Sequence, residues 1–190
     1  MIKRIATIGG IILLIGILPI HAQGKISFFE EHIDFELDSI YFSINGIYSF
    51  YNPTDKGINQ RIVFPFAVET TQVDSVGIIN LSDLSRIQFQ RLKKAITFFI
   101  NMPPRDTVDV NIFYKQKTAK ENTYVITSTQ SWKQALEKAV YTLTTSLPAD
   151  ETKFSYPFVS KEIINGKKLY RWEKTNFMPD KEFDVVVKMD

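Results

Sequence analysis

Apolar side chains fall at every second position along most of this chain of 190 residues. That period confines it to β-structure, because successive side chains of a strand point to opposite faces. Ile33, Phe35 and Leu37 enclose Asp34 and Glu36, and Ile40, Phe42 and Ile44 enclose Tyr41 and Ser43. Val108, Val110, Ile112 and Tyr114 alternate with Asp109, Asn111 and Phe113, and Phe183, Val185 and Val187 end the series. Ile96, Phe98 and Ile100 carry Thr97 and Phe99 between them, which predicts a central strand covered on both faces.

Turn chemistry punctuates these runs. Asp38-Ser39, residues 52–57 with Pro53 and Gly57, and Pro103-Pro104 each end an extended segment. Residues 62–66 are expected to return after the 52–57 turn as the partner strand, and Gly46 predicts a bulge or bend. Asn165-Gly166 between extended runs predicts a two-residue type I′ hairpin, since both positions need positive φ. Residues 124–129 read as extended, and residues 154–159 as an edge strand, because Pro157 cannot donate to a ladder. One segment has helical spacing: Trp132, Ala135, Leu136 and Ala139 follow a Ser131/Gln134 capping box, so a short helix is expected over 132–138. About ten short strands and no long helix predict an antiparallel sandwich or barrel. Composition does not shift near Pro148, so one domain, 23–190, is expected.

The first residues follow a different rule. Lys3 and Arg4 precede an apolar run over 5–20, and small Ala22 follows it. A basic start, an apolar middle and a small residue at the end make a secretory signal peptide, assigned to 1–22. The apolar run is short for a hydrocarbon layer of ~30 Å, and Pro19 and its glycines weaken it further as a span. A retained N-terminal anchor is the other reading, and in both the rest of the chain is sent outward. Without Lys3 and Arg4, the 23 basic residues become 21, against 21 acidic ones. The mature domain is therefore near neutral, with no basic excess for nucleic acid.

Cysteine is absent, which excludes disulfides, thiolate nucleophiles and zinc–thiolate sites. His32 is the one histidine beyond the signal; beside Glu30 and Glu31 it reads as a surface residue. No nucleophile elbow or phosphate-cradling glycine loop occurs, and neither a metal nor a cofactor is expected. Adjacent Glu30 and Glu31 on a strand point to opposite faces, and Asp150-Glu151, after Pro148 and Ala149, reads as a solvated turn, so neither is expected to be a catalytic pair. The chain is rich in rings, with 15 Phe, 8 Tyr and 2 Trp. Tyr170 and Trp172 share one strand face and are the candidate binding residues, as an exposed stacking platform for sugar rings or a protein. The alternative is that such rings fill a core that has no disulfides.

Residues 45–54, with the run Tyr51-Asn52-Pro53, precede Ile62-Val63-Phe64-Pro65-Phe66. Residues 127–132, Trp172 and Asn176-Phe177-Met178-Pro179 add to this pattern. Together they resemble exported bacterial immunoglobulin-like β-sandwich proteins of unknown function. The resemblance implies an immunoglobulin-like sandwich and an exported location, and it transfers no functional residue. The expected role is non-catalytic binding in the cell envelope, in the periplasm or outside the cell, with an envelope protein or glycan as partner and no membrane span after signal cleavage. Two alternatives stand beside it: a carboxylate-based hydrolase of envelope carbohydrate, and a structural subunit pairing through a strand edge. N-terminal sequencing of protein from the periplasmic fraction of native cells is expected to start at Gln23 or Gly24. Intact Met1 in the membrane pellet would contradict cleavage.

Overall fold

A computed structural model describes residues 26–147 and 152–188. The signal peptide expected over 1–22 and the Asp150-Glu151 pair lie outside the described residues. The alternating rows form strands throughout. In chain order these are β1 (Ser27–Leu37), β2 (Tyr41–Tyr51), β3 (Ile58–Pro65), β4 (Val73–Asn80), β5 (Phe89–Arg91), β6 (Ala95–Met102) and β7 (Thr107–Lys117). They continue as β8 (Glu121–Tyr124), β9 (Leu136–Thr145), β10 (Thr152–Phe154), β11 (Ser160–Ile164), β12 (Lys167–Phe177) and β13 (Phe183–Val187).

Seven of them make one large sheet in the order β11-β12-β9-β1-β2-β7-β4. Two small sheets, β10-β13-β8 and β3-β6-β5, lie against its inner face. Ring contacts fix which half each one covers. Phe183 of β13 stacks on Phe35 of β1 at 4.8 Å and packs edge-on to Trp172 of β12 at 5.0 Å. Phe64 of β3 packs edge-on to Tyr48 of β2 at 5.4 Å, and Phe66 to Tyr114 of β7 at 4.7 Å. The second layer is thus two sheets side by side, meeting in a seam above β1 and β2. The all-β sandwich expected from the sequence is the fold observed.

Several local expectations are corrected. All pairings are antiparallel except one: β1 runs parallel to β9, from Glu30↔Lys138 to Leu37↔Thr145. β3 does not return beside β2. It crosses to the second layer and pairs with β6, from Ile58↔Met102 to Pro65↔Ala95. β6 is central in its small sheet, but Phe99 is 57% exposed, so only one of its faces is fully covered. Gly46 does not bend β2; the ladder runs through it to Ile33 and Ile112. Glycine is needed there for space, since a Cβ would stand 2.5 Å from the Tyr48 hydroxyl and 2.6 Å from Ile33 Cδ1.

The helix expected over 132–138 is also replaced. A 3-10 turn spans Thr127–Trp132, overlapping the end of the 124–129 segment read as extended, and Leu136 and Ala139 belong to β9. Ser131 donates to the Ser128 carbonyl instead of capping. The turn's start is held from 55 residues away, where Glu182 accepts the Thr127 N–H, and also the Ile126 N–H at 2.8 Å. The hairpin at Asn165-Gly166 forms as expected, with φ of 50° and 77°. Of the edge strand expected over 154–159, only its first residue lies in a strand, the short edge strand β10.

Asn52 explains the turn after β2. It is fully buried, and its amide nitrogen donates to the carbonyls of Lys56 at 2.8 Å, Pro103 at 2.8 Å and Met102 at 3.3 Å. Its oxygen accepts from the Thr54 backbone at 3.0 Å and hydroxyl at 2.8 Å. One side chain thereby ties the 52–57 turn to the end of β6. Asn52→Ala is expected to cost on the order of 3 kcal/mol in urea unfolding, because three carbonyls, that of buried Met102 among them, lose their donor and a fully buried amide is removed. A loss below about 1 kcal/mol would mean the backbone alone holds the turn.

Candidate functional site

The inward row of β1 continues from Leu37, Phe35 and Ile33 back to Glu31, which is 2% exposed. Its register neighbours are Tyr48 on β2 and small Ala139 on β9. One carboxylate oxygen accepts a hydrogen bond from the Tyr141 hydroxyl. Among the described residues, Glu31 has no other hydrogen-bond partner. Nearby, the Tyr48 and Tyr124 hydroxyls share a bond of 2.8 Å, linking β2 to β8 across the layers. Burial raises the Glu31 carboxyl to about 7, only partly offset by the Tyr141 hydrogen bond. Burial and the Glu31 charge hold all three tyrosines well above their usual value.

A cavity of about 40 Å³ adjoins Glu31 at the seam, between β3 on one side and the end of β8 with its 3-10 turn on the other. Phe28, Phe50, Phe64 and Trp132 are among its walls. Exposed Val63 and half-buried Ser128 also line it, so it reaches solvent.

The other face of β1 carries His32, Asp34 and Glu36, all exposed. A depression of about 430 Å³ lies on this outer side of the large sheet. Four adjacent strands line it, with Thr142 and Thr144 from β9, Asp34 and Glu36 from β1, Ser43 and Asn45 from β2, and Phe113 and Lys115 from β7. Thr142 donates to Asp34, and Lys167 pairs with Glu36 at 2.8 Å.

Tyr170 and Trp172 do not form an exposed platform. They are 2% and 0% exposed, and the Trp172 indole N–H donates to the Tyr156 carbonyl at 3.0 Å. Their row faces Phe154 and Phe183, while Arg171 and Glu173 take the outer row. The rings fill the core, the alternative that the sequence left open, and offer no exposed stacking surface. Glu30 and Glu31 do point to different sides, but Glu31 is the one acid among the described residues that is buried. Its hydrogen-bond partner is a tyrosine. Asp34 and Glu36, on the opposite face, cannot pair with it across a cleft.

The fold is shared with a Legionella pneumophila protein. That solved structure, provisionally named as nutrient binding, aligns with a TM-score of 0.71 over 86% of this chain and 67% of its own, at 13% identity. An M1 zinc metallopeptidase from Deinococcus radiodurans aligns with a TM-score of 0.52 at 12% identity. This chain covers 43% of the peptidase's length, and 86% of this chain takes part. At such identities the likeness is one of fold. No family model matches the chain, and no curated protein matches it in sequence. Among the described residues, no group of three or more His, Cys, Asp or Glu side chains is placed to hold a metal, and no helix is long and apolar enough to cross a membrane.

The raised Glu31 carboxyl couples stability to pH. Between 4.5, its ordinary value, and about 7, the folded chain keeps a proton that the unfolded chain has lost. The proton-linked contribution of this group is therefore complete below 4.5 and is lost as pH rises through about 7. Glu31→Gln removes the effect. Urea unfolding at matched pH values is expected to show the variant gaining on the wild type by on the order of 3 kcal/mol between pH ~4.5 and pH ~8. Parallel curves would show that Glu31 is not held in an apolar setting.

Proposed function

We propose that this chain is an exported, non-catalytic binding protein of the cell envelope, and that it takes an envelope glycan in the outer depression of its large sheet. One observation carries the reading: side chains of both hydrogen-bonding kinds converge from four neighbouring strands on one open concave surface. Thr142, Thr144, Ser43, Asn45 and Lys115 can donate, and Asp34 and Glu36 accept, with the Phe113 ring beside them. The surface crosses three strand spacings, roughly 14 Å, which suits an extended polar ligand better than a small enclosed one. Sugars offer hydroxyls to such groups and an apolar ring face to Phe113. A rigid sheet holds these side chains at fixed spacings, so little ordering is required on binding.

The signal-like start supports export. The shared fold with a protein named for nutrient binding supports a binding role in the coarser sense. Edge pairing draws less support, because the terminal strand β11 is five residues long and carries Lys161, and the opposite edge strand β4 is bulged between Asp74 and Gly77.

The test is co-sedimentation of the purified protein with insoluble cell-wall polysaccharide. Wild type is expected to pellet with it. A Ser43→Arg, Thr144→Arg double variant, which fills the depression from the solvent side, is expected to bind at least about tenfold more weakly. Ile163→Arg on the exposed β11 edge serves as a control and is expected to bind as wild type does. Failure of wild type to pellet, or equal binding by the double variant, overturns the assignment.

A further inference from the structure

The seam cavity is built unlike the outer depression. We propose that it is a second binding site, which takes the primary ammonium head of a small alkylamine and pairs it with Glu31. The site lies on the inner face of β1, and the glycan reading is not needed for it.

Three features of the cavity select that chemistry. The first is the acceptor. Glu31 lines the cavity, is 2% exposed, and has only the Tyr141 hydroxyl as a hydrogen-bond partner among the described residues. A carboxylate has about four acceptor positions, so a donor entering the cavity finds capacity that the fold leaves open. The second is the walls. The rings of Phe28, Phe50 and Trp132 pack against one another at 5.2–5.8 Å on one side, and Phe64 stands edge-on to Tyr48 on the other. Aromatic faces carry negative potential and attract cations, so rings and carboxylate favour the same sign of guest. The third is size. At about 40 Å³ the cavity is roughly a tenth of the outer depression's 430 Å³, which suits a small ammonium head better than a sugar. The guest's chain would leave past Val63 and Ser128, where the cavity opens to solvent.

Among the described residues, no cation pairs with Glu31. The titratable groups whose charge couples to Glu31 are Tyr141 on β9, Tyr48 on β2 and Tyr124 on β8, all neutral at ordinary pH. An ammonium guest would supply a counter-charge, and an anionic guest would be repelled.

The two tryptophans make the test readable. Trp132 lines the cavity, whereas the Trp172 indole is engaged with the Tyr156 carbonyl in the core. The full mature protein is titrated at about pH 8, where Glu31 is ionised, and the two indole N–H resonances are followed by NMR. n-Butylammonium is expected to shift the Trp132 signal saturably, with Kd near or below about 10 mM, and to leave Trp172 in place. Butan-1-ol and butyrate, of matched length, are expected to bind at least about tenfold more weakly. Nα-acetyl-lysine methylamide distinguishes the source of the amine. Tighter binding than butylammonium would mean a lysine of a peptide supplies the head, and weaker binding a free amine. Glu31→Gln is expected to weaken butylammonium at least about tenfold. Should that variant fail to fold, the neutral and anionic probes on wild type still decide. Equal binding of butan-1-ol and butylammonium, or no Trp132 shift with butylammonium, overturns the proposal.

Discussion

The register of β1 is the constraint on which the structure depends. Its inward row, Glu31, Ile33, Phe35 and Leu37, sits between β9 and β2 in the middle of the large sheet. Phe35 stacks on Phe42 within that sheet at 5.4 Å and on Phe183 across the layer at 4.8 Å, and meets Tyr124 edge-on at 5.3 Å. Such pairs contribute about 0.5–1.5 kcal/mol each beyond the area they bury. A slip of one residue would turn His32, Asp34 and Glu36 into the core and Phe35 out. The penalty for burying three polar side chains exceeds any gain from an alternative ladder, so the register is fixed. The same pleat then places Glu31 inside and Asp34 outside without further instruction. Both surfaces given a role here are consequences of that one registration.

The seam follows from how the second layer is divided. A seven-stranded twisted sheet is covered by two three-stranded sheets, and strands do not pair across the gap between them. Polar groups fix its β8 side. The Tyr48–Tyr124 bond joins the large sheet to β8, and Glu182, just before β13, holds the 3-10 turn that follows β8. Gln130 in that turn donates to the Pro179 carbonyl at 2.7 Å. Two of the sequence stretches behind the family resemblance, 127–132 and 176–179, are therefore bound to each other. Gly46 belongs to the same arrangement, because the space left by its missing Cβ is where the Tyr48 hydroxyl sits.

Local chemistry was legible in the sequence, and long-range pairing was not. Asn165-Gly166 forms its hairpin because φ is a property of the residues themselves, and Asp38 turns the chain by accepting the N–H groups of Ile40 and Tyr41. The parallel meeting of β1 with β9 joins segments 108 residues apart and leaves no local trace. The helix expected over 132–138 shows how a period can mislead. β9 buries Leu136 and Ala139 with Glu137 and Lys138 both exposed between them, a phase break that copies helical i, i+3 spacing. The ladder register runs through this point unbroken, from Thr175↔Lys138 to Phe177↔Leu136, although Asn176 between them takes φ of 48°. The Tyr170/Trp172 row was identified correctly as one face, with an exposed platform and a filled core both left open, although Arg171 and Glu173 in the other row marked the exposed side. Glu31 was legible in the same way. Counting back by twos from Leu37 lands on it, although the two adjacent acids were read only as pointing to opposite faces.

A buried acid on that row is a choice with a cost. A leucine at position 31 would continue the series Ile33, Phe35 and Leu37, fill the seam and remove the desolvation that pushes the carboxyl to about 7. Buried charges replaced by apolar groups of similar size often leave a protein more stable. Tyr141 softens the cost with one hydrogen bond, and Tyr48 and Tyr124 satisfy each other instead. A fold that needed Glu31 only for cohesion would surround it with donors, as it surrounds the buried amide of Asn52, where five hydrogen bonds converge. The contrast between these two buried polar side chains separates their roles. Asn52 is fully engaged by the chain around it and holds a turn, whereas Glu31 keeps unused acceptor capacity beside a cavity that opens to solvent.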